Sequence, residues 1–459
     1  MSQTSSDQRT GPHALIPPLR KRLAFAAPEV SVTILFATVN SWYFYYLVSI
    51  VSIHPLIAGL AFIFGRVVDA ILDPLVGRWV DTNKGGYGRK KIIVLALPLA
   101  AITFVLLWIA PLMVEGALSR AALAAVTFAV FALGYTFVSI PRLAMLPKYE
   151  TDHNGRTAQI GTDTALIFLS LIFAIAGVPA LITLIDGASS LALTEPRSWW
   201  FAAAGLAAIA VLVYIPFLLL VPEQNARRVS EPFKGLWSDL RRAPFVPGFL
   251  LMVAAFFLSV LSMVSIQSIL PFYLESYIGV QKDYQALILG TVFLTSILAL
   301  PFWVAIGRRL GKPRSLIGGL LVFMVFLAFT ATITPGSGLS VMLFVVAVLA
   351  GFAISALSIF PWSMVPDAAD QYRITTGTTR DGLSTSIFTF SNKLAGGCAV
   401  LLNGALLSVT GHISGKLEQN QATIDGIFLA TICVPLMLAV FCLIATLALS
   451  KVKRVPSEA

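Results

Sequence analysis

The stretch GRVVDAILDPLVGRWVD, residues 65 to 81, sets Arg66, Asp69 and Asp73 inside an otherwise apolar run. Carboxylates four residues apart share one face of a helix, and an arginine three residues before the first falls on nearly the same stripe. Surrounded by hydrocarbon, a lone carboxylate is expensive to keep ionised or takes up a proton. A close pair makes chemical sense around a small cation, whose charge offsets their mutual repulsion, or as a site where protonation replaces that cation. Asp69 and Asp73 are therefore the candidate cation-binding residues, for Na+ or H+, with Arg66 as organiser or ligand contact. An interhelical salt-bridge cluster holding no transported ion is the alternative.

Lys393, in SIFTFSNKLAGGCAV, is a second ionisable residue within an apolar run. It lies about ten residues in, too deep for comfortable snorkelling, so it needs an acidic partner or an anionic group of a substrate. Asn392 beside it offers donors and an acceptor on an adjacent face. Asn40, in FATVNSWYFYYLV, is an amide amid Trp42, Tyr43, Tyr45 and Tyr46. Aromatic rings with polar tips suit the hydroxylated face of a sugar, and equally a membrane interface. The interface reading is taken for Tyr45 and Tyr46, whereas Asn40 and Trp42 remain candidates for a substrate cavity. Asp163 lies near the polar end of its apolar segment, where solvent exposure or a helix N-terminus accounts for it.

Only a membrane places such groups in hydrocarbon, and the composition supplies one. With 57% hydrophobic and 12% charged residues over 459 positions, and a mean hydropathy of +0.86, the chain is too apolar for a soluble fold of its length. Twelve apolar stretches, each near the ~20 residues that cross a bilayer, predict an all-α membrane protein with two six-helix bundles. The longest polar interruption divides them into a tail at 1–29, a bundle at 30–221, a linker at 222–245, a second bundle at 246–450 and a tail at 451–459. The first 29 residues carry no short apolar run followed by a cleavage-like site, so no signal peptide is expected to be removed.

Alternating the loops from a cytoplasmic start leaves only Arg120, Arg197, Lys282 and Lys416 of the 32 Lys and Arg in external loops. This asymmetry predicts both termini in the cytoplasm of a multi-pass plasma-membrane protein, in a bacterium the inner membrane. The net charge of +10 then reflects topology and contact with anionic membrane lipids, and no nucleic-acid partner is expected. Cys398, Cys433 and Cys442 fall within the last apolar stretches and give no disulfide framework. Neither H-E-x-x-H, G-x-S-x-G nor a phosphate-binding loop occurs, so the expectation is no enzyme and no cofactor beyond a coupling ion.

The halves echo each other. GRWVDTNKGGYGRKK begins at Gly77 after the second apolar stretch and GRRLGKPR at Gly307 after the eighth, the weak internal symmetry of a repeated helix bundle. Asp81, Arg89, Arg308 and Lys312 in these loops are candidate gating residues, able to pair across the halves or with lipid headgroups. In this register Asp69 falls opposite Ala299, Asp73 opposite Trp303 and Arg66 opposite Ser296, so the repeat keeps its turn and loses its carboxylates.

The second stretch with its YGRKK exit resembles the glycoside, pentoside and hexuronide cation symporters, the melibiose-permease-like branch of the major facilitator superfamily. YTFVSIPRLAMLP at 135–147 and DAADQYRITTGTTRDGLSTSIFTFSNKLAGG at 367–397 add to the resemblance, which covers residues from about 30 to 450. It implies the major facilitator fold, Asp69 and Asp73 as the coupling-cation carboxylates, and Lys393 as the lysine beside a shared cavity. The chain also departs from that pattern. The fourth-helix aspartate corresponds to Ser139, the first-helix one falls near Thr33, and the fifth-helix arginine near Thr164 or Ala165. A small-molecule symporter working as a monomer by alternating access is expected, importing a sugar, glycoside or uronate with Na+ or H+. A lysophospholipid or other amphiphile carrier and a non-transporting membrane sensor are the alternatives.

Overall fold

The computed structural model describes residues 18–82, 88–149, 153–186, 195–223, 246, 248–376, 381–416 and 418–452. Among them, twelve helices are long and apolar enough to cross a membrane: Leu19–Ile50, Pro55–Gly77, Arg89–Met113, Ala117–Arg142, Ala165–Ile185, Pro196–Leu220, Phe249–Ile278, Tyr284–Leu310, Lys312–Thr330, Val341–Thr375, Thr385–Val409 and Gln421–Lys451. They form two six-helix bundles in the major facilitator fold. Prolines 28, 74, 98, 216, 271, 301 and 361 lie inside helices that run on through them. Neighbouring helices within a membrane tolerate such interruptions by shielding the freed backbone groups.

The first helix begins at Leu19 after an extended Pro18, within the stretch read from sequence as a tail. Packing explains it: Ala24, Phe25 and Ala27 are buried against Val138, Met145, Tyr214 and Phe217 of the fourth and sixth helices. At their C-terminal ends the first and seventh helices, counterparts in the two halves, both widen into π-helical turns, Tyr46–Ile50 and Tyr273–Ile278. The repeat read in the loops therefore extends into the helices.

The halves are joined by close backbone contact between the second and eleventh helices. A Cβ on Gly404 would stand 2.5 Å from the Pro55 carbonyl oxygen, one on Gly59 3.0 Å from the Leu401 Cα, and one on Gly397 2.9 Å from the Ile63 Cγ1. Small residues permit this approach where no hydrophobic force drives helices together. The first and seventh helices meet beside it, with Phe44 and Phe272 ring centroids 5.8 Å apart and Gln267 donating to the Ser41 hydroxyl at 2.7 Å.

At the positions opposite the second-helix charges, the eighth helix packs instead. Ser296 donates to the Gly351 carbonyl at 2.9 Å and the Trp303 indole to the Phe352 carbonyl at 2.8 Å. A Cβ on Gly351 would lie 2.2 Å from the Val292 carbonyl oxygen. The second copy keeps the helical hairpin with tight packing and no ions.

Among the gating candidates, Arg89 opens the third helix with a buried side chain and Arg308 is exposed in the last turn of the eighth. Lys312 pairs with Asp367 at the far end of the tenth helix. That pair lies within the C-terminal half, whereas sequence suggested a latch across the halves or to lipid. The Asp81 side chain lies outside the described residues, as do 1–17, 224–245 and 453–459.

In the loop before the twelfth helix, His412 is buried edge-on against Phe272, centroids 5.5 Å apart. Burial pushes its imidazole down to about 4. Unfolded, it titrates near 6.5, so the folded state prefers the neutral ring. This contribution to stability is fully present above about pH 6.5 and is lost as pH falls toward 4. His412→Phe should flatten the fall in melting temperature over that window, and an unchanged pH profile would remove the assignment. For the helix contact, Gly404→Ala should destabilise by about 1–3 kcal/mol, as overpacking does. Gly205→Ala, whose Cβ would meet nothing within 4 Å, serves as the control; equal melting temperatures for the two would refute the contact.

Candidate ion and substrate site

Lys393 reaches across from the eleventh helix and places its ammonium between the two second-helix carboxylates. Nζ lies 2.8 Å from Asp69 Oδ1 and 2.7 Å from Asp73 Oδ2, and donates to the Asp69 carbonyl oxygen at 3.1 Å. Both partners required by the sequence argument are therefore found in each other. Gly396 and Gly397, one turn beyond Lys393, leave room for the Arg66 side chain: a Cβ on Gly396 would sit 3.4 Å from Arg66 Nη2. Without that space the helices would stand farther apart and the lysine would fall short.

Arg66 completes the charge balance. Its Nη1 stands 3.8 Å from Asp69 Oδ2, an ion pair without a hydrogen bond, while Nη2 donates to Asn40 Oδ1. The guanidinium lies over the Phe36 ring at 4.6 Å, and the other arm of that ring stack is Tyr135 at 4.4 Å. Two acids and two bases thus cancel within one cluster, which is how buried charges are tolerated. Asp69 is fully buried, whereas the Asp73 side chain keeps 18% exposure. Asp73 lies one turn nearer the Arg78 end of the helix, beyond the section sealed by glycines 59, 397 and 404, so the cluster is reached from that side.

Thr136 of the fourth helix is a site residue that sequence reasoning missed. Its hydroxyl donates to Asp73 Oδ1 at 3.3 Å and weakly to Asp69 Oδ1 at 3.5 Å. One turn along is Ser139, the residue singled out from sequence; a threonine amid apolar residues carries no separate signal. Pro74 deprives the Ala70 carbonyl of its helical donor. Two carboxylates and the Asp69 main-chain oxygen therefore converge on the place the ammonium occupies, with the Thr136 hydroxyl on the carboxylates beside it, an oxygen set suited to a small hard cation. Asn392 is half-buried and makes no hydrogen bond among the described residues, and the Thr164 side chain lies outside them.

The first helix connects this cluster to a cavity between the halves. Asn40 faces Arg66, and the next residues, Ser41 and Trp42, line the cavity, which measures about 120 Å³. Phe168 and Leu171 of the fifth helix, Met263 of the seventh, Leu289 and Phe293 of the eighth and Ile354 of the tenth are among the apolar side chains of its wall. Its polar groups are largely committed elsewhere: Ser41 to Gln267, Ser296 to Gly351, Ser358 to the Met263 sulfur, and the Trp42 indole to the Ile175 carbonyl at 3.1 Å.

Two readings of individual residues are corrected. Asp163 is neither solvent-exposed nor explained by a helix terminus: it is buried and pairs with Arg142 Nη2 at 2.5 Å, while Gln159 donates to its other oxygen at 2.8 Å. Arg142 also holds Glu29 at 2.9 Å and donates to the Phe25 carbonyl, tying the first, fourth and fifth helices together. In the sequence Arg142 counted only as a basic residue at a membrane junction. Tyr45 and Tyr46 do not face the interface but are buried. Tyr45 donates to Glu275 of the other half and Tyr46 to the Trp108 carbonyl, within a ring cluster that includes Trp42 and Trp199.

Comparison with known proteins adds a family. The model described as MFS/sugar transport protein matches residues 24–450. A sodium-dependent lysophosphatidylcholine symporter 1-B of Danio rerio is 24% identical over 407 residues, covering 82% of this chain and 76% of its own length. A sphingosine-1-phosphate transporter of Xenopus tropicalis is 25% identical over 412 residues, covering 83% and 78%. Among solved structures, a bacterial homolog of the human lysosomal transporter Spinster superposes with a TM-score of 0.65 at 15% identity, over 96% of this chain and 98% of that one; at that identity the likeness concerns the fold.

If the ammonium stands where a cation would bind, removing it must free the site. Lys393→Met should show Na+-dependent thermal stabilisation at concentrations lower by on the order of tenfold than the native chain, the modest end of what uncovering buried carboxylates is worth. Asp69→Asn should abolish the Na+ shift and Thr136→Val should weaken it. A Lys393→Met protein that needs as much Na+ as the native chain would exclude competition between lysine and ion.

Proposed function

The chain belongs to the MFS/sugar transport protein family, and from that premise we propose that it is a cation-coupled symporter whose cargo is an amphiphile with a hydrocarbon chain, of lysophospholipid type. One observation carries this reading: the cavity between the halves is lined largely by apolar side chains, among them Phe168, Leu171, Met263, Leu289, Phe293 and Ile354, and most of its few polar groups are already bonded. A sugar buried there would lose water at each hydroxyl without regaining partners, a penalty of roughly 1–3 kcal/mol per group. A hydrocarbon chain pays no such penalty and gains from leaving water. The names borne by the Danio and Xenopus relatives agree with an amphiphile. We therefore rank the sugar, glycoside or uronate favoured by the charged-helix resemblance second.

In the proposed cycle Na+ or H+ takes the place of the Lys393 ammonium at Asp69 and Asp73. The released lysine then carries an unbalanced positive charge, which the phosphate of an amphiphile neutralises once the halves have parted. Ion and cargo thus improve each other's binding by the same factor, as linkage requires. The cavity is smaller than the roughly 300–1,000 Å³ of typical ligand clefts, so cargo enters only when the halves part along the second and eleventh helices.

The test is transport by the full chain in sealed proteoliposomes, with labelled lysophosphatidylcholine scored by albumin back-extraction and labelled glycosides by filtration. A Na+ or H+ gradient, imposed separately, should drive lysophospholipid across the membrane, and Asp69→Asn should abolish the ion-driven part. Gradient-driven glycoside uptake without lysophospholipid movement would overturn the cargo. Full accumulation by Asp69→Asn would overturn the ion site.

A further inference from the structure

A second hollow opens on the lipid-facing side of the N-terminal half, between the first, fifth and sixth helices. It measures about 830 Å³ and is lined by apolar side chains, among them Leu23, Leu166, Pro216 and Leu219, with Arg20 as the one charged lining residue. It shares no lining residue with the central cavity. From Leu19 to Val30 the first helix contributes eleven steps of rise, roughly 16 Å. That is close to the roughly 15 Å of hydrocarbon in one leaflet. The groove therefore begins at headgroup level, where Arg20 stands, and ends near the bilayer centre. By the Lys and Arg asymmetry of the loops this is the cytoplasmic leaflet.

Charge decides what fills it. Arg20 is exposed and makes no ion pair or hydrogen bond among the described residues, in contrast to Arg22 two positions on, which donates to the Thr162 hydroxyl at 2.9 Å. No carboxylate lines the groove. An unpaired guanidinium at the mouth of an apolar channel one leaflet deep matches a single molecule: a phosphate or phosphoglycerol headgroup above a hydrocarbon chain. We propose that the groove is a binding site for an anionic diacyl phospholipid of the cytoplasmic leaflet, with one acyl chain in the groove and the headgroup on Arg20. The lipid bridges the first helix, which carries Asn40, Ser41 and Trp42, to the sixth, and so braces the helix that links ion cluster and cavity. The site is separate from the cargo path and does not depend on the cargo being an amphiphile.

The experiment is native mass spectrometry of the delipidated full chain, given equimolar phosphatidylglycerol and phosphatidylcholine with identical acyl chains. The native protein should retain one phosphatidylglycerol in preference to phosphatidylcholine. Arg20→Gln should reduce that preference about fivefold, the worth of one basic residue at an anionic surface. Leu219→Trp, at a position 77% exposed, should obstruct the groove and lower retention of both lipids, with melting temperatures of the lipid-free variants checking their fold. Equal retention of the two lipids by the native chain overturns the proposal. So does a preference that survives Arg20→Gln, or undiminished retention by Leu219→Trp.

Discussion

Lys393 shared between Asp69 and Asp73 is the interaction on which the rest of the architecture depends. Two carboxylates on one turn of a helix repel each other, and in a low-dielectric setting neither stays ionised without a cation in contact. The ammonium that meets them, Lys393, belongs to the other half of the protein. Bringing it there requires backbones to touch, which accounts for Gly59 on the second helix and for Gly396, Gly397 and Gly404 on the eleventh. Electrostatics at the centre and glycine packing along the seam express one constraint.

Because the acids and the base sit in different halves, whatever replaces the ammonium also loosens the bond between halves. In the proposed cycle ion binding and opening are linked through these shared charges, with no separate relay needed. The adjacent first helix extends the link: Asn40 holds Arg66, while its neighbours Ser41 and Trp42 face the cavity. Arg66 and the cavity wall are therefore joined by one stretch of backbone.

The second buried ionic cluster works differently. Arg142, Glu29, Asp163 and Gln159 all lie in the N-terminal half, so their bonds make three helices of that half one body. The proposed parting of the halves needs such internal ties, since small displacements must be passed on rather than absorbed. Tyr45 donating to Glu275 and Gln267 donating to Ser41, by contrast, cross between halves through hydrogen bonds that can be exchanged for water when the seam opens.

Hydropathy alone determined the twelve spans, and helical spacing alone put Arg66, Asp69 and Asp73 on one face, because both properties are local. The need of Lys393 for an acidic partner or an anionic substrate group was legible for the same reason, since a lone ammonium at that depth is costly whatever surrounds it. Which acid it meets was decided by tertiary structure, as were Thr136 at the site and the pairing of Arg142 with Asp163. Their partners lie on other helices, and a hydroxyl or a membrane-edge arginine has the same sequence context whether it faces lipid, water or an ion. The chemistry of the cavity wall also emerged only in the fold: five helices each contribute one face to it, and a helix apolar all round does not disclose which face that is.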